Sequence, residues 1–410
     1  MIKKRLRPVD KLTLTLLPLL YIAPTISGTG YVYNQTLFYI ANLALILTLL
    51  HHKFKNRVRL RRRSYIILFG IFYTMLVPLL TGFVLNSTTV GINYLFINCL
   101  IYFFFAVLLQ IKIVIGWESW LIAVTFMGAG LLSTVLGIVF FLWPTEIAGM
   151  LFGRPGYFRM QGAFSTPNRF AESVAVGFLS VLYLLNYDKK KTAKYILSAV
   201  FLLLGLIWSG SRGVLLATFL ATGFYMLFSR SAKKKPFVAS LFALLIVVVL
   251  FTVIFWELLQ ELLQVERLLS GDPAVVTSNR TDIWRIGLDQ IMNKNIFLVI
   301  FGSGANGFSQ FFGNDTHSAQ LYLLFDYGIL GFTFVTLLLV FVFVAAAKKN
   351  KKNRNCLAYA GALVVFSYTR GFTMPTVYTG FNFASYAFWA GILLALCNRY
   401  GANSVVHRIF

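Results

Sequence analysis

Long apolar blocks separated by short polar segments are the main pattern along this chain. Each block runs for about 17 to 25 residues, which is the length that a helix needs to cross about 30 Å of hydrocarbon. Continuous apolar runs favour helices over the alternating strands of a membrane β-barrel. The pattern therefore predicts an all-α polytopic membrane protein with about twelve transmembrane helices. The predicted spans are 12–27, 35–51, 64–84, 92–111, 117–143, 171–187, 196–209, 213–229, 237–256, 319–345, 356–370 and 382–397.

Composition supports the same class of protein. Of the 410 residues, 58% are hydrophobic and 12% are charged, whereas a soluble domain carries roughly 25% charged residues. The apolar segment after the basic N-terminus has no small-residue cleavage site, so we expect a retained first helix rather than a removed signal peptide. We expect a single integral membrane domain over residues 1–410.

Basic residues are distributed unevenly between the two sides that the spans define. One side, which includes both termini, carries 28 of the 37 Lys and Arg residues, and the other side carries nine. Because cytoplasmic loops are enriched in Lys and Arg, both termini are predicted to be cytoplasmic. The same distribution explains the net charge of +24, so we expect the lipid bilayer and no nucleic acid as a partner.

The external basic residues are almost all arginines. Eight of the nine are Arg, whereas 17 of the 18 lysines are cytoplasmic. A guanidinium group is permanently charged and pairs bidentately with phosphate. The bias therefore indicates an external phosphate site, although base composition or loop stability could favour Arg in the same way.

Two external segments are long enough to carry a function. Residues 144–170 are rich in Gly, Pro, aromatic residues and Arg, and residues 257–318 form the largest loop, between the ninth and tenth spans. The large loop opens with an amphipathic pattern over 257–269, which suits either the membrane interface or an extension of the preceding span. A second short helix is predicted at 281–293, followed by a Gly-rich turn at 301–308.

Three external residues are candidates for chemistry. His317 is the one external histidine of four and lies just before the tenth span; its imidazole could take a proton near neutral pH. Arg212 lies in the turn SGSRG, and Arg280 lies at the predicted start of a loop helix. The ordinary alternatives are an inert loop histidine, an arginine that snorkels to the interface and an exposed helix charge.

These elements occur in the order found in the O-antigen ligase and O-antigen polymerase superfamily, which the chain resembles over about residues 160–340. Ser318 stands where Asn is more usual in that superfamily, and Asp326 replaces the commoner Glu. The matching segments are PNRFA at 167–171, SGSRG at 209–213, the arginine-bearing helix of the large loop, FGSGANGF at 301–308 and THSAQLYLLFDYGILGF at 316–332.

The resemblance implies a GT-C-like fold and a metal-independent, inverting glycosyltransferase on the external face of the bacterial cytoplasmic (inner) membrane. The donor would be an undecaprenyl-diphosphate-linked glycan. The acceptor would be a lipid A-core sugar for a ligase, or another lipid-linked repeat unit for a polymerase. By motif position, Arg212 and Arg280 would hold the diphosphate, and His317 would act as the base towards the acceptor hydroxyl.

Four further arginines are expected to contribute to substrate binding, with a structural loop charge as the alternative for each. They are Arg154, Arg159, Arg169 and Arg285. We expect no cofactor. The external carboxylates are scattered along the sequence, so we also expect no metal site.

Two other classes of protein fit part of the pattern. A transporter or flippase for an anionic lipid-linked glycan would also use arginines, but it would place ionisable residues near the middle of the membrane. The predicted spans hold almost none there. A scaffold in a polysaccharide export complex would tolerate substitutions in the loops. The residues do not separate a ligase from a polymerase.

Overall fold

The structure is a computed structural model, and helices make up most of what it describes. No strand is present among the described residues, which confirms the all-α class for this part of the chain. The described residues are 117–142, 159–162, 164, 166–187, 192–229, 280–304, 307–308, 317–347, 354–374, 378 and 382–400.

Nine α-helices lie within these ranges. The described helices are α1 (Trp117–Leu142), α2 (Pro167–Tyr187), α3 (Thr192–Trp208), α4 (Arg212–Phe228), α5 (Arg280–Met292), α6 (Ile296–Phe301), α7 (Ala319–Ala347), α8 (Arg354–Gly371) and α9 (Phe383–Tyr400).

Seven of these helices coincide with predicted spans, and α5 coincides with the helix predicted in the large loop. By length and apolar composition, three described segments could cross a membrane: Ile122–Leu142, Pro167–Tyr187 and Ala319–Ala347. The total of about twelve spans stays a prediction. The predictions that lie outside the described residues are the spans 12–27, 35–51, 64–84, 92–111 and 237–256 and the amphipathic segment 257–269.

Helix α2 is the centre of the described bundle and packs against α1, α3, α4, α8 and α9. Its first residue is Pro167, whose fixed φ suits the first turn of a helix. The Thr166 hydroxyl accepts a hydrogen bond from the backbone N–H of Arg169 at 3.3 Å, which satisfies one of the unpaired amides at the helix start. From Phe170 to Leu184 every residue of α2 is buried, so the position of α2 as a whole is set by five neighbouring helices.

Small residues let α1 and α2 approach closely. A Cβ added at Gly130 of α1 would lie 3.1 Å from the Cα of Gly177 and 3.1 Å from the carbonyl oxygen of Ser173, both on α2. Nearby, the hydroxyls of Ser133 and Ser173 share a hydrogen bond of 2.7 Å. Close backbone contact and hydrogen bonds between helices drive association in lipid, where the hydrophobic effect between helices is missing.

Helices α2 and α8 are joined by aromatic and hydroxyl contacts in the buried core. The rings of Tyr183 and Tyr359 stack with their centroids 4.7 Å apart. The Tyr359 hydroxyl also shares a 2.6 Å hydrogen bond with Ser180 of α2. These contacts fix the register of α8 along α2, and therefore the place where α8 ends.

We expect Gly130→Leu to destabilise the protein by about 1–3 kcal/mol, because the added side chain must displace the backbone of α2. Gly128→Leu is the matched control on α1, since a Cβ there meets no atom within 4 Å. The measurement is the thermal unfolding midpoint of the two purified variants in detergent. Equal midpoints would contradict the close α1–α2 contact.

Candidate active site

A tight turn places Arg212 at the end of the bundle. Gly210, with φ +60°, adopts a left-handed conformation that glycine tolerates. Its N–H donates to the carbonyl of Ile207 at 2.9 Å, and the Ser211 N–H donates to the Ser209 hydroxyl at 3.2 Å. The chain can therefore reverse between α3 and α4 within three residues, and α4 starts at Arg212.

Two other segments hold this turn in place. The Ser211 hydroxyl donates to the side-chain oxygen of Asn168, in the first turn of α2, at 2.6 Å. On the other side, the Arg159 Nε donates to the carbonyl of Ser209 at 2.8 Å, and the Met160 N–H donates to the carbonyl of Trp208 at 3.2 Å. The segments PNR and SGSRG, which are far apart in sequence, are therefore in direct contact.

Arg280 interacts electrostatically with arginines from two other helices. Arg280 is the first residue of α5 and is partly buried. Burial, followed by the positive charges of Arg370 and then Arg212, lowers the pKa of its guanidinium group. Arg280 therefore lies within electrostatic reach of Arg212 on α4 and of Arg370 on α8, and this arrangement attracts an anion with several charges.

Arg370, which was not among the residues expected at the site, forms a buried ion pair. Its Nε lies 2.7 Å from Oε1 of Glu172, and the two side chains are 3% and 0% exposed. Arg169, one turn before Glu172 on α2, also acts electrostatically on this carboxylate. The sequence does carry a signal for this pair: a glutamate near the start of one predicted span and an arginine near the end of another. Charges within apolar spans are usually paired, so each of these residues suggests a buried partner.

His317 lies directly before α7, at the same end of the bundle as Arg370. The Ser318 hydroxyl caps the helix by accepting from the N–H of Leu321 at 3.4 Å. In the first turn of α7, the Gln320 side chain donates to the carbonyl of Tyr368, in the last turn of α8, at 3.2 Å. His317 itself is exposed and has φ +49°, a left-handed conformation that is uncommon for a residue other than glycine.

Helix α7 is broken at Gly328, which has φ +65° and ψ −173°. The predicted continuous span at 319–345 is therefore two helical pieces. The turn after α6 fills the break: the Ser303 N–H donates to the carbonyl of Phe325 at 2.9 Å, and the Gly304 N–H donates to that of Asp326 at 3.0 Å. The Asp326 carboxylate accepts from the N–H of Phe308 at 3.0 Å. These contacts between the turn after α6 and the break in α7, which we call the interlock, fix the short helical piece that begins two residues after His317.

Lys294, the single lysine predicted to be external, belongs to this interlock. Its ammonium group donates to the Ser303 hydroxyl and lies 2.8 Å from the centroid of the Phe325 ring. Burial lowers its pKa to about 8, although the nearby Asp326 charge opposes this shift. Lys294 therefore stabilises the interlock, whereas Arg212, Arg280 and Arg370 supply the positive charge of the candidate site.

The remaining expected binding residues are placed differently from one another. Arg159 holds the SGSRG turn, and Arg169 lies beside Glu172. Arg285 is exposed on α5, about 140° around the helix from Arg280 at 100° per residue. Arg154 lies outside the described residues. In the part of the chain that the structure describes, no group of three or more His, Cys, Asp or Glu residues is arranged to hold a metal ion.

These observations define an integral membrane protein. Several of its helices place arginines at the end of the bundle where α7 starts, just after a histidine. The O-antigen ligase family matches residues 197–336. The match confirms the resemblance to the O-antigen ligase and polymerase superfamily, whose members are glycosyltransferase-like ligases and polymerases. It covers about a third of the chain. A comparison with curated proteins found no match.

We expect Gly302→Ala to disrupt the interlock at the break in α7. Gly302 has φ +88°, and a Cβ there would overlap the Asp326 carbonyl and lie 2.6 Å from the backbone nitrogen of Tyr327. The unfolding free energy should fall by more than about 1 kcal/mol. Gly223→Ala, at a helical position with no atom within 4 Å of the added Cβ, is the control. Thermal unfolding of both variants tests this, and an unchanged midpoint for Gly302→Ala would contradict the packing described.

Proposed function

We propose that this protein transfers a glycan from undecaprenyl diphosphate to a sugar hydroxyl, as an O-antigen ligase or polymerase. One observation carries the proposal: Arg280 lies within electrostatic reach of Arg212 and Arg370, and Arg370 lies at the end of the bundle where α7 begins, two residues after His317. The acceptor is a lipid A-core sugar for a ligase and a second lipid-linked repeat unit for a polymerase.

Arg212 and Arg280 bind the diphosphate of the donor and stabilise it as the leaving group. When the bond between the sugar and the diphosphate breaks, negative charge develops on the departing phosphate oxygen. Cations already fixed around that oxygen lower the barrier, because no reorganisation is needed at the moment of reaction. The arginines take the part that a metal ion plays in other phosphate chemistry, so the proposed transfer is metal-independent.

His317 accepts the proton of the acceptor hydroxyl. The acceptor oxygen attacks the anomeric carbon from the face opposite the diphosphate, the new glycosidic bond forms as the old one breaks, and the configuration inverts. The exposed position of His317 leaves access for an acceptor. The left-handed backbone of His317 supports a role in catalysis, because such conformations are concentrated at active sites.

We place the site at the external surface of the bacterial cytoplasmic (inner) membrane, with both termini in the cytoplasm. After the break in α7, the helix from Ile329 to Ala347 is 19 residues long, about 28 Å at 1.5 Å per residue. That length matches the hydrocarbon thickness, and the basic segment beginning at Lys348 follows it. The break, together with His317 and the helical piece that follows it, would then lie at the opposite surface from this basic segment, where a lipid diphosphate is found.

In a strain that lacks this gene, we expect Arg212→Ala and Arg280→Ala to reduce surface glycan by about a hundredfold or more, because each removes a fixed cation from the leaving group. Arg285→Ala removes the same charge from the same helix as Arg280 and should cost much less. Surface glycan is resolved on a gel, with membrane expression checked by immunoblot. Normal glycan from both Arg212→Ala and Arg280→Ala would contradict the proposal and favour transport or a scaffold.

The gene deletion separates the two versions of the reaction. Lipid A-core that carries a single repeat unit identifies a polymerase. Bare core, with polymer accumulating on the lipid carrier, identifies a ligase.

We expect His317→Asn to fold normally and to lose transfer by about a hundredfold or more, the usual contribution of a general base. Asparagine tolerates the left-handed backbone at this position, so the substitution removes the base without adding strain. The readouts are glycan on the gel and the thermal midpoint of the purified variant. An active His317→Asn protein would show that the imidazole is not the base.

A further inference from the structure

The buried Glu172–Arg370 pair is connected to Arg212 by a short chain of contacts. We propose that this pair is a positioning device that fixes the Arg212 guanidinium for the lipid diphosphate. The inference rests on the proposed function of Arg212. Within it, Glu172 and Arg370 are positioning residues that do not touch the substrate.

The contacts run from Arg370 through Thr373 to the start of α4. One terminal nitrogen of Arg370 donates to the Thr373 hydroxyl. The Thr373 N–H and hydroxyl both donate to the carbonyl of Arg370, at 3.0 and 3.1 Å, so the position of Thr373 follows that of Arg370. The Thr373 hydroxyl oxygen lies 2.9 Å from the place of a Cβ at Gly213, the residue bonded to Arg212.

The Arg370 guanidinium is occupied by protein groups. Its Nε donates to Glu172 at 2.7 Å, and its second terminal nitrogen lies 3.6 Å from the sulfur of Met374. With 3% of the side chain exposed, Arg370 is poorly placed to meet a lipid substrate directly. Any effect of Arg370 on the position of Arg212 therefore passes through the groups that it holds.

A second contact reaches the same turn from the same helix. The side-chain oxygen of Asn168 accepts a hydrogen bond of 2.6 Å from the hydroxyl of Ser211, the residue before Arg212. Asn168 and Glu172 are four residues apart on α2 and therefore share one face of that helix. Arg212 is held between Ser211 and Gly213, and both of these neighbours are connected to this face of α2.

The pair also brings a third cation close to the cluster without adding its full repulsion. The charge of Arg370 already acts on Arg280, and the Glu172 carboxylate offsets that charge at 2.7 Å. Without Glu172, an unpaired buried cation would push Arg280 and Arg212 apart and would itself be costly to bury.

The test uses the full-length protein in detergent and measures its affinity for farnesyl diphosphate, a soluble prenyl diphosphate. Thr373→Val keeps the volume of the side chain but removes the hydrogen bond from Arg370, and Gly213→Ala displaces Thr373 from the other side. Their controls are Thr336→Val, whose hydroxyl bonds to its own helix at Phe332, and Gly223→Ala. Glu172→Gln is added if it folds, as judged by its thermal midpoint.

We expect Thr373→Val and Gly213→Ala to weaken farnesyl diphosphate binding by about tenfold, and both controls to match the wild type. The decisive comparison is in an Arg212→Ala background, where neither substitution should cause further loss because the residue that they position is absent. A general loss of stability would lower affinity equally in both backgrounds, and that result would overturn the inference.

The same data separate failure of the inference from failure of the proposed function. If Arg212→Ala binds farnesyl diphosphate as the wild type does, the proposed role of Arg212 is wrong, and the positioning inference is wrong with it. If Arg212→Ala weakens binding while Thr373→Val and Gly213→Ala behave as their controls do, the positioning inference alone is wrong.

Discussion

Like charges repel, and the guanidinium group of Arg280 lies within electrostatic reach of those of Arg212 and Arg370. Three helices must hold them there until an anion arrives. The protein meets this constraint by pairing Arg370 with Glu172 inside the bundle and by starting α4 and α5 at the other two arginines. A cluster held in this way has unbalanced positive charge, which a diphosphate can neutralise. The attraction between the cations and the bound ligand then offsets part of the free-energy cost of burying the cations.

The rest of the described fold serves this arrangement. Helix α2 is buried against five neighbours, so Asn168 and Glu172 in its first two turns are rigid reference points for the site. The glycine contact between α1 and α2 and the tyrosine contacts between α2 and α8 set the positions of these helices along their axes. On the other side, the break in α7 is filled by backbone amides from the turn after α6, which satisfies carbonyls that would otherwise be exposed near lipid.

The sequence predicted the described helices well because apolar length and turn residues are local signals. It also made Arg212, Arg280 and His317 candidates for the site, since each stands in an ordered motif of the superfamily, and their roles stay predictions. The Glu172–Arg370 pair was missed because its members are 198 residues apart, and no local pattern shows which buried charges meet. The break at Gly328 was missed for a similar reason: hydropathy continues across it, and the amides that fill it come from residues 303 and 304.

The central claim is that Arg212 and Arg280 together bind a lipid diphosphate beside His317. The most direct test is an experimental structure of the full-length protein in a lipid nanodisc with a prenyl diphosphate bound. We expect the diphosphate oxygens within about 3 Å of both guanidinium groups. The terminal phosphate, which carries the sugar in the donor, should face the start of α7 beside His317, and the prenyl chain should point away from it. A diphosphate bound away from both arginines, or in the middle of the bundle, would contradict the account and point to a transport pathway.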